Sequence, residues 1–128
     1  MAKANILVVE DNVDNYELVR IMLEYGGYET FLAVNGRDGV NAARKQQPDL
    51  IVMDMMMPEM DGWHAAEKLK TDKSTKHIPV IALTVRTLPA ERQRAMEAGV
   101  DAYLTKPINM PLFMDTIEEV LAKKKEAG

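Results

Sequence analysis

Cysteine is absent from the chain, which excludes disulfide staples and thiolate chemistry and is compatible with a reducing compartment. No apolar run is long enough to span a bilayer. The first apolar stretch, Ile6 to Val9, follows Met1 too closely to leave the charged and hydrophobic regions of a signal peptide, so a soluble, unexported, cytoplasmic protein is expected. An excess of basic charge is also lacking. The net charge of -4 offers no general surface for nucleic acid or membrane, and neither is expected as a partner. Linkers, low-complexity segments and sequence repeats are missing, as are the glycine-rich motifs that cradle phosphates.

What remains is a chain of 128 residues, 47% of them hydrophobic, enough for one core. A single domain over residues 1–128 is expected, with no room for a second catalytic or DNA-binding unit. The basic tripeptide Lys123 to Lys125 reads as the solvated end of a helix, where the dipole favours cations.

Short β-rich apolar runs occur at Ile6 to Val9, Tyr28 to Val34, Leu50 to Met53, Val80 to Leu83 and Ala102 to Leu104. Helix-length segments lie between them. Val13 to Tyr25 carries Leu18, Ile21, Met22 and Tyr25 at helical spacing, with Asp14 and Glu17 as its capping box and Gly26-Gly27 as its stop. Asn35 caps a second helix that ends before Pro48, and Asp61 a third that runs to about Thr71. Pro89 opens a fourth that stops at Gly99, and Asn109 caps a last one whose apolar face is Phe113, Ile117, Val120 and Leu121. The alternation predicts an α/β fold: about five βα units, doubly wound around a parallel sheet with helices on both faces. The segment Ala90 to Ala98 is the weakest helix, because its apolar positions are alanines and one Met96. Low buried area predicts that it moves cheaply.

In such a sheet, ligands bind outside the carboxyl ends of the strands, where the winding reverses. Strand one ends in Glu10-Asp11, strand three in Asp54, strand four in Thr84, and Lys106 follows strand five. Clustered carboxylates repel by about 4 kcal/mol per pair at 4 Å under a surface-like dielectric. Such a cluster calls for a cation. Oxygen donors without histidine or cysteine point to Mg²⁺, or Mn²⁺, rather than zinc. A divalent ion, the Lys106 ammonium and the Thr84 hydroxyl form a cradle for a phosphoryl group, and Asp54 supplies a nucleophile that can form an acyl phosphate.

The set Glu10-Asp11, Asp54 with Met57-Pro58 and Asp61-Gly62 after it, Thr84, and Asp101 to Pro107 resembles the response-regulator receiver family, the CheY-like domains of two-component signalling. The resemblance covers nearly the whole chain in the right order. It implies the flavodoxin-like strand order 2-1-3-4-5 and a single-domain response regulator without an output domain. It implies that Asp54 is phosphorylated from a sensor histidine kinase or a phosphotransfer protein, and that an unknown protein target lies downstream. Asp11 and Asp54 would bind Mg²⁺ directly with the Met56 backbone carbonyl, and Glu10 through water. Lys106 would pair with a phosphoryl oxygen, Thr84 would swing in to another, and Tyr103 would change rotamer with it. The Lys106-Pro107 peptide would be cis. Upstream docking would use the first helix near Asn15 and Tyr16 with the Ile108 loop, on a monomer or weak dimer. Glu10 stands where aspartate is commoner, and Val85 follows Thr84 where a small residue is usual.

The other features have plainer readings. The ten methionines are core filler rather than copper ligands. His64 and His77 are exposed, Trp63 packs its helix in part, and Lys70, Lys73 and Lys76 form a solvated face. An aspartyl-phosphate phosphohydrolase is the enzyme alternative, but it would carry a second acid two residues after the nucleophile, where this chain has Met56. A flavin carrier would find Glu10 to Asp14 repelling its phosphate. A receiver-shaped interaction module that is never phosphorylated is the remaining alternative.

Overall fold

The computed structural model describes residues 3–55, 62–84 and 89–127. Its elements are β1 (Asn5–Val9), α1 (Val13–Tyr25), β2 (Glu29–Ala33), α2 (Gly36–Gln46), β3 (Leu50–Asp54), α3 (Gly62–Thr71), β4 (Val80–Thr84), α4 (Pro89–Glu97), β5 (Ala102–Thr105) and α5 (Met110–Ala127). The five strands form one sheet in the order β2-β1-β3-β4-β5, and every neighbouring pair is parallel. The expected doubly wound α/β fold is the observed one.

The strands are apolar along their length because both sheet faces are covered. Side chains alternate between faces with period two. Leu7, Val9, Ile51, Met53, Val80 and Ala82 join the core under α2, α3 and α4. Ile6, Val8, Leu50, Val52, Ile81 and Leu83 join the one under α1 and α5. The last helix contributes the expected Phe113, Ile117 and Val120 to that second core, with Leu121 packed against it. His64 and His77 are exposed, as expected.

Four local expectations are corrected. The buried residues of α1 are Val19 and Leu23, whereas Leu18, Ile21 and Tyr25 are 51%, 57% and 84% exposed. The helix is apolar on more than one face, so spacing alone could not choose. Its cap is Asn12, whose side chain accepts the Asn15 N–H at 3.0 Å, while Glu17 is drawn to Arg20 at 2.6 Å instead of closing a capping box. On α4, Ala95 takes the core position and Met96 points outward. Lys70 is not solvated: its ammonium lies 2.9 Å from Asp101 and donates to the Ile78 carbonyl at 2.8 Å. Asn35 caps α2 and Asn109 caps α5 as expected. Asp61 lies outside the described residues.

Candidate functional site

Three connections bring the polar residues to one edge. At the end of β1, Glu10 continues the ladder by donating its N–H to the Ala33 carbonyl at 2.9 Å. Asp11 follows, and Asn12 turns the chain into α1 while donating its own N–H to Glu10 Oε2 at 3.3 Å. At the end of β3, Asp54 is followed by Met55, whose N–H reaches the Leu83 carbonyl at 2.9 Å. The start of α3 then folds back, with Gly62 N–H to the Met55 carbonyl at 3.3 Å. That return requires glycine: a Cβ on Gly62 would collide with the Met55 Cα and stand 2.7 Å from the Asp54 carbonyl oxygen. Beyond β5, the Lys106 N–H is held by the Thr84 carbonyl at 2.8 Å, so the register of β4 sets where the lysine begins.

The winding reverses between β1 and β3, since β2 lies outside β1 and the later strands run the other way. Glu10, Asp11 and Asp54 meet in the crevice this leaves, with a carboxylate oxygen from each within 4.8 Å of the others. Glu10 and Asp54 are buried, and Asp11 faces solvent. The Lys106 ammonium lies 3.2 Å from Glu10 Oε1 and 3.4 Å from Asp54 Oδ2. Among the described residues, one ammonium faces three carboxylates in this pocket. Burial first, then hydrogen bonding to Asp54 and its charge, push the Glu10 carboxyl up to about 7 against the pull of Lys106. A cluster that shifts its own member so far toward the protonated form is short of a cation. Its donors are all oxygen, which fits a hard divalent ion.

Thr84 is fully buried at the end of β4, and Tyr103, opposite Ala82 in the ladder, is half-buried against the core under α3 and α4. The Lys106-Pro107 peptide is cis, as expected. Met56 and Val85 lie outside the described residues. The structure thus gathers Glu10, Asp11, Asp54 and Lys106, with Thr84 at the end of β4 beside β3 and Tyr103 one strand further out on β5. The contact of Lys106 with Glu10 was not foreseen. Its signal was the length of Glu10, placed directly after four buried residues. A stack of Arg94 on Trp63 carried no sequence signal at all, because nothing local links two residues so far apart.

An open parallel sheet with an acidic, lysine-bearing crevice at its switch point defines the receiver class of signalling domains. Residues 6–118 match the response regulator receiver domain, and the chain belongs to that family. It is 40% identical over 117 residues to the polar-differentiation response regulator DivK of Brucella anthropi, covering 91% of this chain and 95% of that protein. Among solved structures it resembles the receiver domain of a signal transduction histidine kinase from Syntrophus aciditrophicus, with 36% identity, a TM-score of 0.87, and 94% and 91% of the two chains covered. It also resembles the receiver domain of sensor histidine kinase PA1611 from Pseudomonas aeruginosa PAO1, with 31% identity, a TM-score of 0.87, and 94% and 99% covered. That domain was solved with a magnesium ion coordinated in its active-site cleft. The present chain is a receiver-domain response regulator of two-component signalling. Among the described residues, no helix is long and apolar enough to cross a membrane.

Proposed function

We propose that Asp54 accepts a phosphoryl group from a phosphohistidine on a sensor histidine kinase or phosphotransfer protein. The observation that carries this is the Lys106 ammonium set between Glu10 and Asp54, with Asp11 completing the acidic crevice. In the transfer, an Asp54 carboxylate oxygen bonds to phosphorus as the imidazole nitrogen leaves with the electron pair of the broken N–P bond. Asp11 and Asp54 would hold Mg²⁺ directly and Glu10 would act through water, with the Met56 backbone carbonyl, outside the described residues, as the further ligand of this reading. The bound ion supplies positive charge against the phosphoryl oxygens. Lys106 exchanges part of its contact with Asp54 for one phosphoryl oxygen, and the Thr84 hydroxyl turns to another.

The output is a change of binding surface. The aspartyl phosphate biases a pre-existing equilibrium through Thr84 and Tyr103 toward a different placement of α4. Beside α4 lies a shallow cavity lined by Arg92, Tyr103, Leu104, Ile108, Leu112 and other residues, a surface for the downstream protein. Upstream docking uses α1 near Asn15 and Tyr16, whose exposed neighbour Leu18 extends the face, together with the Ile108 loop. The receiver domain acts as a switch rather than a turnover enzyme, since Met56 stands where a hydrolase would carry its second acid.

The test is incubation with Mg²⁺ and a small acyl-phosphate donor, measuring phosphate incorporated by wild type and by Asp54→Asn. Incorporation by wild type alone, abolished by a chelator, is expected. No incorporation, or equal labelling of the variant, refutes the mechanism.

A further inference from the structure

Among the described residues, α4 places one side chain in the buried core, that of Ala95. Its Gln93 donates to Glu97 within the helix itself, and Met96 faces solvent. Among the described side chains, a ring contact ties α4 to a neighbouring helix. The guanidinium carbon of Arg94 lies 4.9 Å from the centre of the Trp63 ring. Trp63 is the chain's one tryptophan, buried in the second position of α3. It directly follows Gly62, which closes against Met55 and the Asp54 carbonyl. Trp63 thus shares the core with Met55, at the exit of the phosphoacceptor strand, and meets through Arg94 a helix with one buried side chain among those described.

We propose that Arg94 is a positioning residue that latches α4 to α3 through the Trp63 face, and that the latch sets how readily α4 shifts when Asp54 is phosphorylated. The second half rests on the function proposed above; the first does not. A planar guanidinium over the largest aromatic face is the strongest form of this contact. At a partly exposed site it changes an equilibrium by roughly two- to fivefold. That is small against a fully packed helix and large against one whose described side chains include a single buried alanine. The route from Asp54 is short and packed: Met55, the glycine return and the first turn of α3.

The test uses the full chain as wild type, Arg94→Ala, Arg94→Lys, Trp63→Phe and the double variant Arg94→Ala/Trp63→Phe. Amide hydrogen exchange of α4 and tryptophan emission, the latter where Trp63 is kept, are read with and without an acyl-phosphate donor and Mg²⁺, and intact mass reports labelling. Without donor, Arg94→Ala should raise α4 exchange roughly two- to fivefold and shift the Trp63 emission, leaving α1 and α5 unchanged. Arg94→Lys should fall between, and the double variant should exchange no faster than the faster single one. Under donor, the further rise in α4 exchange should be smaller in Arg94→Ala than in wild type, because the latch is already open. Unchanged α4 exchange in Arg94→Ala, or additive effects in the double variant, overturns the latch even when Asp54 labels normally. Equal donor-induced changes in wild type and Arg94→Ala overturn its coupling to phosphorylation. Failure of wild type to label defeats the proposed function and that coupling together, while the donor-free exchange still judges the contact.

Discussion

Helices α3 and α4 lie on the same sheet face and are nearly equal in length, with 10 and 9 residues, yet they are held by different means. Gly62, Trp63, Ala65, Ala66 and Leu69 of α3 are buried, and Lys70 anchors its end to Asp101. On α4, among the described side chains, only Ala95 is buried. Burying a leucine contributes about 1.5–3 kcal/mol, and a single methyl-sized group about 0.8. The helix beside Asp54 is therefore built as a wall, and the next one as a part that can be displaced. A phosphorylation switch needs both: a fixed frame for the charge and an element whose placement that charge can change.

The largest break in this comparison is Leu69→Ala. It empties a fully buried site in α3 and should cost about 2–5 kcal/mol, read as a lower midpoint in urea unfolding. Next comes the pocket itself. Glu10 ordinarily titrates at 4.5 and is pushed up to about 7 in the folded protein. Below the lower value both states carry the proton; between the two, the folded state keeps a proton that the unfolded chain has lost. Stability from this group is therefore lost as pH rises through that window, by an amount on the order of 3 kcal/mol. In chelator, the melting temperature should fall between pH 5 and pH 7.5, Glu10→Gln should flatten the fall, and Mg²⁺ should restore stability most at the higher pH.

Lys70→Met tests the other end of α3. It strips Asp101 and the Ile78 carbonyl of their ammonium, and because Asp101 is 39% exposed the cost is discounted to about 1–2 kcal/mol by urea unfolding. The smallest effect belongs to α4: Met96→Ala removes an exposed side chain and should change stability by less than about 0.5 kcal/mol in the same assay. A Met96 variant as costly as the Leu69 one would break the contrast between the helices.

Much of this arrangement was legible in residue order. Strand ends fall where apolar runs stop, so the order of residues alone puts Glu10, Asp11, Asp54, Thr84 and Lys106 on one edge. The weakness of α4 was likewise readable from its alanines. What could not be read was decided by tertiary partners. The apolar residues of α1 occupy two helical faces, and the sheet face and α5 packed beside it select Val19 and Leu23 over Leu18 and Ile21. Asn12 and Asp14 are both cap-forming residues two positions apart, and the turn out of β1 chooses the first. Lys70 reads as loop-side charge until β5 brings Asp101 against it. Arg94 and Trp63 meet only because α3 and α4 share a sheet face.

The most direct test of the account follows hydrogen exchange of wild type, peptide by peptide, before and after labelling of Asp54 by an acyl-phosphate donor with Mg²⁺. A change concentrated in α4 and β5 is expected, with the exchange of α3 unchanged. Labelling that left α4 as it was, or loosened α3 by as much, would contradict it.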